Sequence, residues 1–418
     1  HINCPFRGPL SPPKQSSFDP RLLLSELGSW LEGSFPWTQC ANLNDPSVES
    51  IKTMVIEGLN VKKGLLVVGA LDSPEEIEAV HQLGQRLGWP ICADILSGLR
   101  FKKGPHYRHH YDLKTPFSRN DSWDTIFHVG GRITSKTLQQ YLDSSSSNRR
   151  IHLSPYSNKQ DPDHRLTQRL LAPIVGVCDV IIDLLPPATI NGEALIGRDL
   201  VMDYAHKIDS RYSVEAPLSE PGVVVHLSKL LMDGGALFLS NSMSIRLMDM
   251  LALAGDQTLR VHANRGASGI DGVLATAAGV AQVTQGPTVL LIGDLALLHD
   301  LNSLALLRDC THPFIIVALN NNGGGIFQML PVKDEKEAFV PYFQTPHGLD
   351  FKHAAKQFGV GYEVPRSLKD FASLFAFYHS QPGPVILEVQ VPYDQVAKEI
   401  QAMRSEQWNK SVDRSSVS

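Results

Sequence analysis

Two apolar runs end in polar, glycine-bearing turns at a spacing that leaves few choices of fold. The first is Leu290-Leu-Ile-Gly293-Asp294. The second is Ala318-Leu-Asn320-Asn321-Asn322-Gly323-Gly324-Gly325, and Asn321 follows Asp294 by 27 positions (321 − 294). A helix of about 14 residues covers about 21 Å, and a return strand of about 6 residues covers about 20 Å. The lengths match, so one right-handed crossover brings both turns to the same edge of a parallel sheet. Open α/β sheets bind ligands at that edge.

The rest of the chain supports the same class, α/β with two doubly wound, mostly parallel sheet domains. Residues 1–45 read as a linker, because Pro5, Pro9, Pro12, Pro13 and Pro20 remove backbone donors. A Rossmann-like domain is expected over 46–215, with strands at Gly64–Gly69, Thr125–Val129 and Ile151–Leu153. Ser73-Pro-Glu-Glu opens a helix: Ser73 caps, Pro74 suits the first turn, and Glu75 and Glu76 meet the positive dipole end. Ser144–Ser147 with Asn148-Arg149-Arg150 reads as a polar loop. A second domain spans 216–400, with strands at Ala236–Ser240, Arg260–Ala263, Thr288–Ile292, Phe314–Leu319 and Val385–Val389. Helices are expected at Ile270–Gln282 and Leu295–Arg308. Residues 401–418 form a tail.

Composition excludes some roles. The 418 residues are 43% hydrophobic with net charge −5, so no basic face points to nucleic acid or a membrane surface. No apolar run approaches a membrane span. The five cysteines lack C-x-x-C spacing and read as reduced core thiols. The chain opens on His1 rather than Met, and residues upstream are expected.

A carboxylate, a side-chain amide and a backbone carbonyl are hard oxygen ligands, which suit Mg²⁺ holding a diphosphate. The helix after Leu295 would add its positive end. Either turn alone is accounted for by a helix cap or a tight turn; both at this interval favour the ligand site.

Gly-Asp followed at this interval by Asn-Asn resembles the metal-diphosphate motif of thiamine-diphosphate enzymes. The chain departs at Leu295, where many members have glycine, and at Asn322, where many have aspartate. Asn264-Arg265-Gly266-Ala267-Ser268-Gly269-Ile270-Asp271-Gly272, Asn320–Phe327, Ser240-Asn241-Ser242-Met243, Thr345-Pro-His347-Gly-Leu-Asp350 and His1-Ile-Asn-Cys-Pro-Phe-Arg7 resemble the SEPHCHC synthase (MenD) family, and the Ser-rich loop is closer to its plant fusion form.

That resemblance implies a thiamine-diphosphate-dependent carboligase of menaquinone or phylloquinone biosynthesis, which decarboxylates 2-oxoglutarate and adds the product to isochorismate. It implies Mg²⁺ or Mn²⁺ on Asp294, Asn321 and the Gly323 carbonyl, with Gly293 and Leu295 beside the cofactor. Asn241, Ser242 and Ser268 would donate to the diphosphate. Ile270 would wedge the cofactor into a bent shape, and Ile326, Phe327 and Leu330 would wall the thiazolium. Arg246, Arg265 and Lys136 would bind carboxylates, although Thr137 stands where several members have a second basic residue. The family has three domains, and the matched stretches cover the last two. The pyrimidine domain and its ylide-forming glutamate are therefore expected outside this chain, which alone would be an incomplete enzyme. A homodimer or homotetramer is implied, in plastid stroma or bacterial cytoplasm.

Two alternatives stay open. Another thiamine-dependent 2-oxo acid carboligase or decarboxylase would act without isochorismate. A non-catalytic dimerisation or regulatory module would bind metal and diphosphate at most. His106, His109 and His110 have metal-like spacing, but Arg100, Lys102, Lys103, Arg108 and Lys114 nearby favour a solvated basic loop.

Overall fold

The computed structural model describes residues 39–42, 48–113, 117, 122–158, 160–161, 164–186 and 197–405. The His1–Arg7 match and Lys114 fall outside these residues, as does the tail beyond Ser405; of the linker expected over 1–45, only 39–42 are described, and they form a strand rather than linker.

The first sheet contains β1 (Gln39–Asn42), β2 (Gly64–Val68), β3 (Ile91–Ala93), β4 (Ser122–Val129), β5 (Ser146–Ser154) and β6 (Gln168–Leu171), in the order β1-β6-β5-β4-β2-β3. The second contains β7 (Ala236–Leu239), β8 (Arg260–His262), β9 (Thr288–Gly293), β10 (Pro313–Asn320), β11 (Gly361–Glu363) and β12 (Gly383–Gln390), in the order β11-β12-β10-β9-β7-β8. Every pairing in the second sheet is parallel. Central strands buried along their length, such as β2 and β7, need helices on both faces. The helix Pro74–Leu87 begins as its sequence requires: Ser73 Oγ accepts from Glu76 N, proline occupies the first turn, and Gly88 closes it at φ 66°.

Three local expectations are corrected. Ser146–Arg150 belong to β5; parallel pairing with β4, from Ser122↔Ser146 onward, outweighs their polarity. The helix expected over Ile270–Gln282 starts at Val273, because Gly272 lies at φ 66°. The helix expected over Leu295–Arg308 is two pieces, an α-helix Asp294–His299 and a 3₁₀ stretch Leu301–Leu307. Asp300 breaks it at φ −120°, where its carboxylate accepts from Ala275 N and Ser303 Oγ.

The described residues from Cys40 to Ser405 belong to one compact unit, and both apolar and polar contacts join the two sheets within it. Ile95, Leu96, Phe101 and Leu113 from the first half share one core with residues of the second, such as Leu237, Leu239 and Leu251. The carboxylate of Asp249, fully buried on the helix Met243–Leu251, accepts from Ile95 N (2.9 Å) and the Tyr111 hydroxyl (3.2 Å). Arg100 Nε donates to the Asp249 carbonyl. The solvated basic loop expected here is therefore confined to the exposed residues 103–105 and their half-buried neighbours Lys102 and His106. Arg100, Arg108, His109 and His110 are buried, and burial and neighbouring guanidinium groups hold both histidines well below their ordinary range.

Candidate active site

Each sheet has a point at which the chain first reverses its direction of strand addition, and ligands in such sheets bind beyond the carboxyl ends there. In the first sheet it lies between β2 and β4. Gly131 N donates to the Ala70 carbonyl there, and a Cβ on Gly69 would sit 1.9 Å from the Gly131 oxygen. Backbone fills the crevice.

In the second sheet the reversal lies between β7 and β9, and there the structure opens a cavity of about 290 Å³. Four strand ends converge on it. Asn241, Ser242 and Arg246 follow β7; Arg265, Ser268 and Ile270 follow β8; Gly293, Asp294 and Leu295 join β9 to its helix; Asn321, Gly323, Ile326 and Phe327 follow β10. The two motif halves meet as the crossover argument requires. Gly323 N donates to Asp294 Oδ2 at 2.8 Å. Gly323 lies at φ 135°, and a Cβ there would fall 2.0 Å from the Gln344 carbonyl, so the turn requires glycine.

Asp294 is 3% exposed. Its Oδ1 accepts from Leu295 N (2.7 Å), and its Oδ2 lies 3.1 Å from His347 Nε2. Asn321 is 7% exposed; its Nδ2 donates to Glu220 Oε1 at 2.7 Å, while its Oδ1 is buried without a partner. An orphaned buried acceptor beside a carboxylate is what an absent cation would leave. Among the described residues no three His, Cys, Asp or Glu side chains form a metal cage, so a cation here would need ligands from a bound diphosphate. The Gly323 carbonyl accepts from Gly325 N, which leaves it a second lone pair. The helix Met243–Leu251 starts at the cavity with no side-chain cap, so its first N–H groups suit an anion. The residues present fit a divalent cation with a diphosphate.

The remaining candidates divide. Arg246 and Arg265 line the cavity. Arg246 donates to the Ser242 carbonyl and Arg265 to Asn241 Oδ1. Burial, then their mutual repulsion for Arg265, lowers both guanidinium pKa values. Asn241 is also a tie: its Nδ2 donates to the Asn264 and Gly269 carbonyls, which holds the 264–269 loop against the end of β7. Ile270 lines the cavity and packs on the core beneath it. Phe327 meets Phe343 edge to face at 5.4 Å. Two residues stay outside. Leu330 is 47% exposed and not part of the wall, since the 3₁₀ turn Gly325–Met329 ends before it. Lys136 borders a separate cavity of about 640 Å³ in the first half, with Arg132 and Arg150.

Sequence reasoning missed Glu220 and His347. Glu220 is 2% exposed and lines the cavity; burial, reinforced by Asp294, pushes its carboxyl up to about 7. Glu220 follows Ser219, the N-cap of the helix Glu220–Leu230, and nothing local showed that this helix start lies under Asn321. His347 stood within a family-like stretch with no role attached.

Residues 22–239 match the family described as "Middle domain of thiamine pyrophosphate", and residues 248–389 match the thiamine pyrophosphate enzyme C-terminal TPP binding domain. The chain is 36% identical to 2-succinyl-5-enolpyruvyl-6-hydroxy-3-cyclohexene-1-carboxylate (SEPHCHC) synthase of Aeromonas salmonicida, across 96% of this chain and 69% of that one. The chain belongs to the SEPHCHC synthase family. Other members of that name match from Shewanella amazonensis (34% identity; 98% and 71% covered) and Rubrobacter xylanophilus (36%; 93% and 67%). Among solved structures, benzoylformate decarboxylase from Polynucleobacter necessarius superposes with TM-score 0.59 at 14% identity. A thiamin-diphosphate-dependent enzyme from Mycobacterium smegmatis gives 0.60 at 18%. Each alignment covers 83% of this chain and 65% of the solved one, so the chain spans about two thirds of their length and shares their fold. Family membership and the TPP binding domain match support a thiamine-diphosphate-dependent enzyme of transferase type.

Proposed function

We propose that this chain provides the diphosphate-binding half of a SEPHCHC synthase site, which joins decarboxylated 2-oxoglutarate to isochorismate in menaquinone or phylloquinone biosynthesis. The observation that carries the reading is the cavity where Asp294 and the unpartnered Asn321 Oδ1 meet Arg246 and Arg265. Asp294, Asn321 and the Gly323 carbonyl hold Mg²⁺ or Mn²⁺ against the diphosphate, and Ser242 and Ser268 add hydroxyl donors. When bound, thiamine diphosphate supplies the electron sink for decarboxylating a 2-oxo acid. Arg246 and Arg265 orient substrate carboxylates, since a guanidinium grips a carboxylate by two parallel bonds. Ile270, Ile326 and Phe327 keep water from the reacting carbon. Lys136, bordering the other cavity, acts on substrate only if the two halves close further. In this reading the protein works as a homodimer or homotetramer. The Ser-rich segment that leads into β5 is plant-like in sequence and favours a plastid stroma, while the bacterial relatives favour a bacterial cytoplasm as the second reading.

Calorimetry of thiamine diphosphate with Mg²⁺ tests the cation site. Asp294→Ala is expected to abolish Mg²⁺-dependent binding; unchanged affinity would refute the assignment. Product analysis with and without isochorismate tests the reaction. Carbon dioxide release unaffected by isochorismate, with no joined product, would point to another thiamine-dependent decarboxylase.

A further inference from the structure

A side-chain amide can offer a cation its oxygen or its nitrogen end, and only the oxygen is a ligand. Which end faces the cavity at Asn321 is decided by the group behind it. Glu220 opens the helix Glu220–Leu230, one residue after Ser219, whose Oγ accepts from Gly222 N. That cap holds the Glu220 backbone at the helix start. Its buried Oε1 receives Asn321 Nδ2 at 2.7 Å. In its ionised form the Glu220 carboxyl presents only acceptors, so turning the amide over would then set oxygen against oxygen. Asn321 Oδ1 is therefore held in the orientation that leaves it without a protein partner.

Asp294 is held in the same way. His347 Nδ1 accepts from Leu349 N at 3.0 Å. The ring's single hydrogen then sits on Nε2, which faces Asp294 Oδ2 at 3.1 Å. The loop carrying His347 is itself fixed, because His347 N and Gly348 N both donate to Asn322 Oδ1. With Gly323 N on Asp294 Oδ2 and Leu295 N on Oδ1, the carboxylate has little rotational freedom.

We propose that Glu220 and His347 are positioning residues for the divalent cation, Glu220 by fixing which end of Asn321 faces it and His347 by fixing the carboxylate plane of Asp294. The inference rests on the reading that Asp294 and Asn321 are the cation's ligands. Neither positioning residue touches the cation; each removes a rotation that binding would otherwise have to freeze. Loss of such outer partners typically weakens metal affinity about 10- to 100-fold.

The test is Mn²⁺ affinity of the full chain, read from the free-ion electron paramagnetic resonance signal at saturating thiamine diphosphate. Glu220→Ala and His347→Ala are expected to weaken Mn²⁺ binding about 10- to 100-fold, with cofactor binding restored at high Mn²⁺. Glu220→Gln, whose amide accepts either orientation of Asn321, should fall between wild type and Glu220→Ala. If Glu220→Ala does not fold, Glu220→Gln and His347→Ala decide. Wild-type Mn²⁺ affinity in folded variants at both positions overturns the proposal. A loss that high Mn²⁺ does not rescue, with melting temperature lowered equally in the metal-free protein, also overturns it, because a purely structural role behaves that way. Asp294→Ala separates the layers. If it too binds Mn²⁺ normally, the ligand assignment has failed; if it alone loses binding, only the positioning role has.

Discussion

At the scale of single residues, Arg265 shows how one side chain serves two ends. It lines the cavity and also donates to Asn241 Oδ1 at 2.6 Å, which ties the loop after β8 to the end of β7. Arg265→Ala should lose a charge-assisted bond to substrate, about 1.5–3 kcal/mol or tenfold and more in kcat/KM. Arg265→Lys should recover part of that loss, because it keeps charge but not the two-point grip. Steady-state kinetics beside a melting curve checks this; kinetics equal to wild type in Arg265→Ala would remove it from the substrate site. Asp294, Asn321 and Gly323 were legible as cavity residues because motif and spacing single them out, and Arg265 only through its family-like stretch. Glu220 was not, since its significance comes from Asn321, 101 positions away.

At the scale of elements, the turn after β10 is the piece on which the site depends. Gly323 occupies φ 135° with the Gln344 carbonyl where a side chain would begin, and Gly324 N donates to that same carbonyl at 2.7 Å. Conformations of this kind cost other residues about 1–3 kcal/mol, and the clash adds to that. Gly323→Ala should lower the melting temperature by several degrees and displace the Asp294 contact, so that Mg²⁺-dependent cofactor binding falls more than stability does. Calorimetry on the folded variant checks it, and normal cofactor affinity would show that the turn can move aside. Strand cores and the capped helix at Pro74 were readable because their signals are local. The break at Asp300 was not: its carboxylate is recruited by Ala275 N, from a different helix.

At the scale of the whole molecule, the junction between the sheets carries a pH dependence. His110 is 2% exposed, and its Nδ1 donates to the Met250 carbonyl at 2.9 Å. Burial, then the nearby Arg100 guanidinium, pushes its pKa down from 6.5 to about 3. A base whose folded pKa is depressed stabilises fully above its unfolded value. Between pH 6.5 and about 3 the unfolded chain takes up a proton that the folded chain refuses. Stability should therefore fall with acid, by up to about 1.4 kcal/mol per pH unit for this residue, with His109 adding to the slope. His110→Asn keeps a donor for Met250, tolerates the positive φ of 61° and does not titrate. Its melting temperature should depend less on pH across that window; a slope equal to wild type would show that His110 is not the group refusing the proton.

The sequence by itself determined the α/β class, the βαβ crossover that brings Asp294 and Asn321 to one sheet edge, and the glycine turn beside them, because periodicity, capping and chain length act over short separations. The tertiary structure alone decided what stands behind those residues. Glu220 sets the Asn321 amide, His347 sets the Asp294 carboxylate, Asn241 ties a loop to β7, and a run of Arg and His that reads as solvated is buried between two sheets. Such placements depend on which strand ends and helix starts meet after folding, and a one-dimensional pattern carries no distance between groups a hundred residues apart.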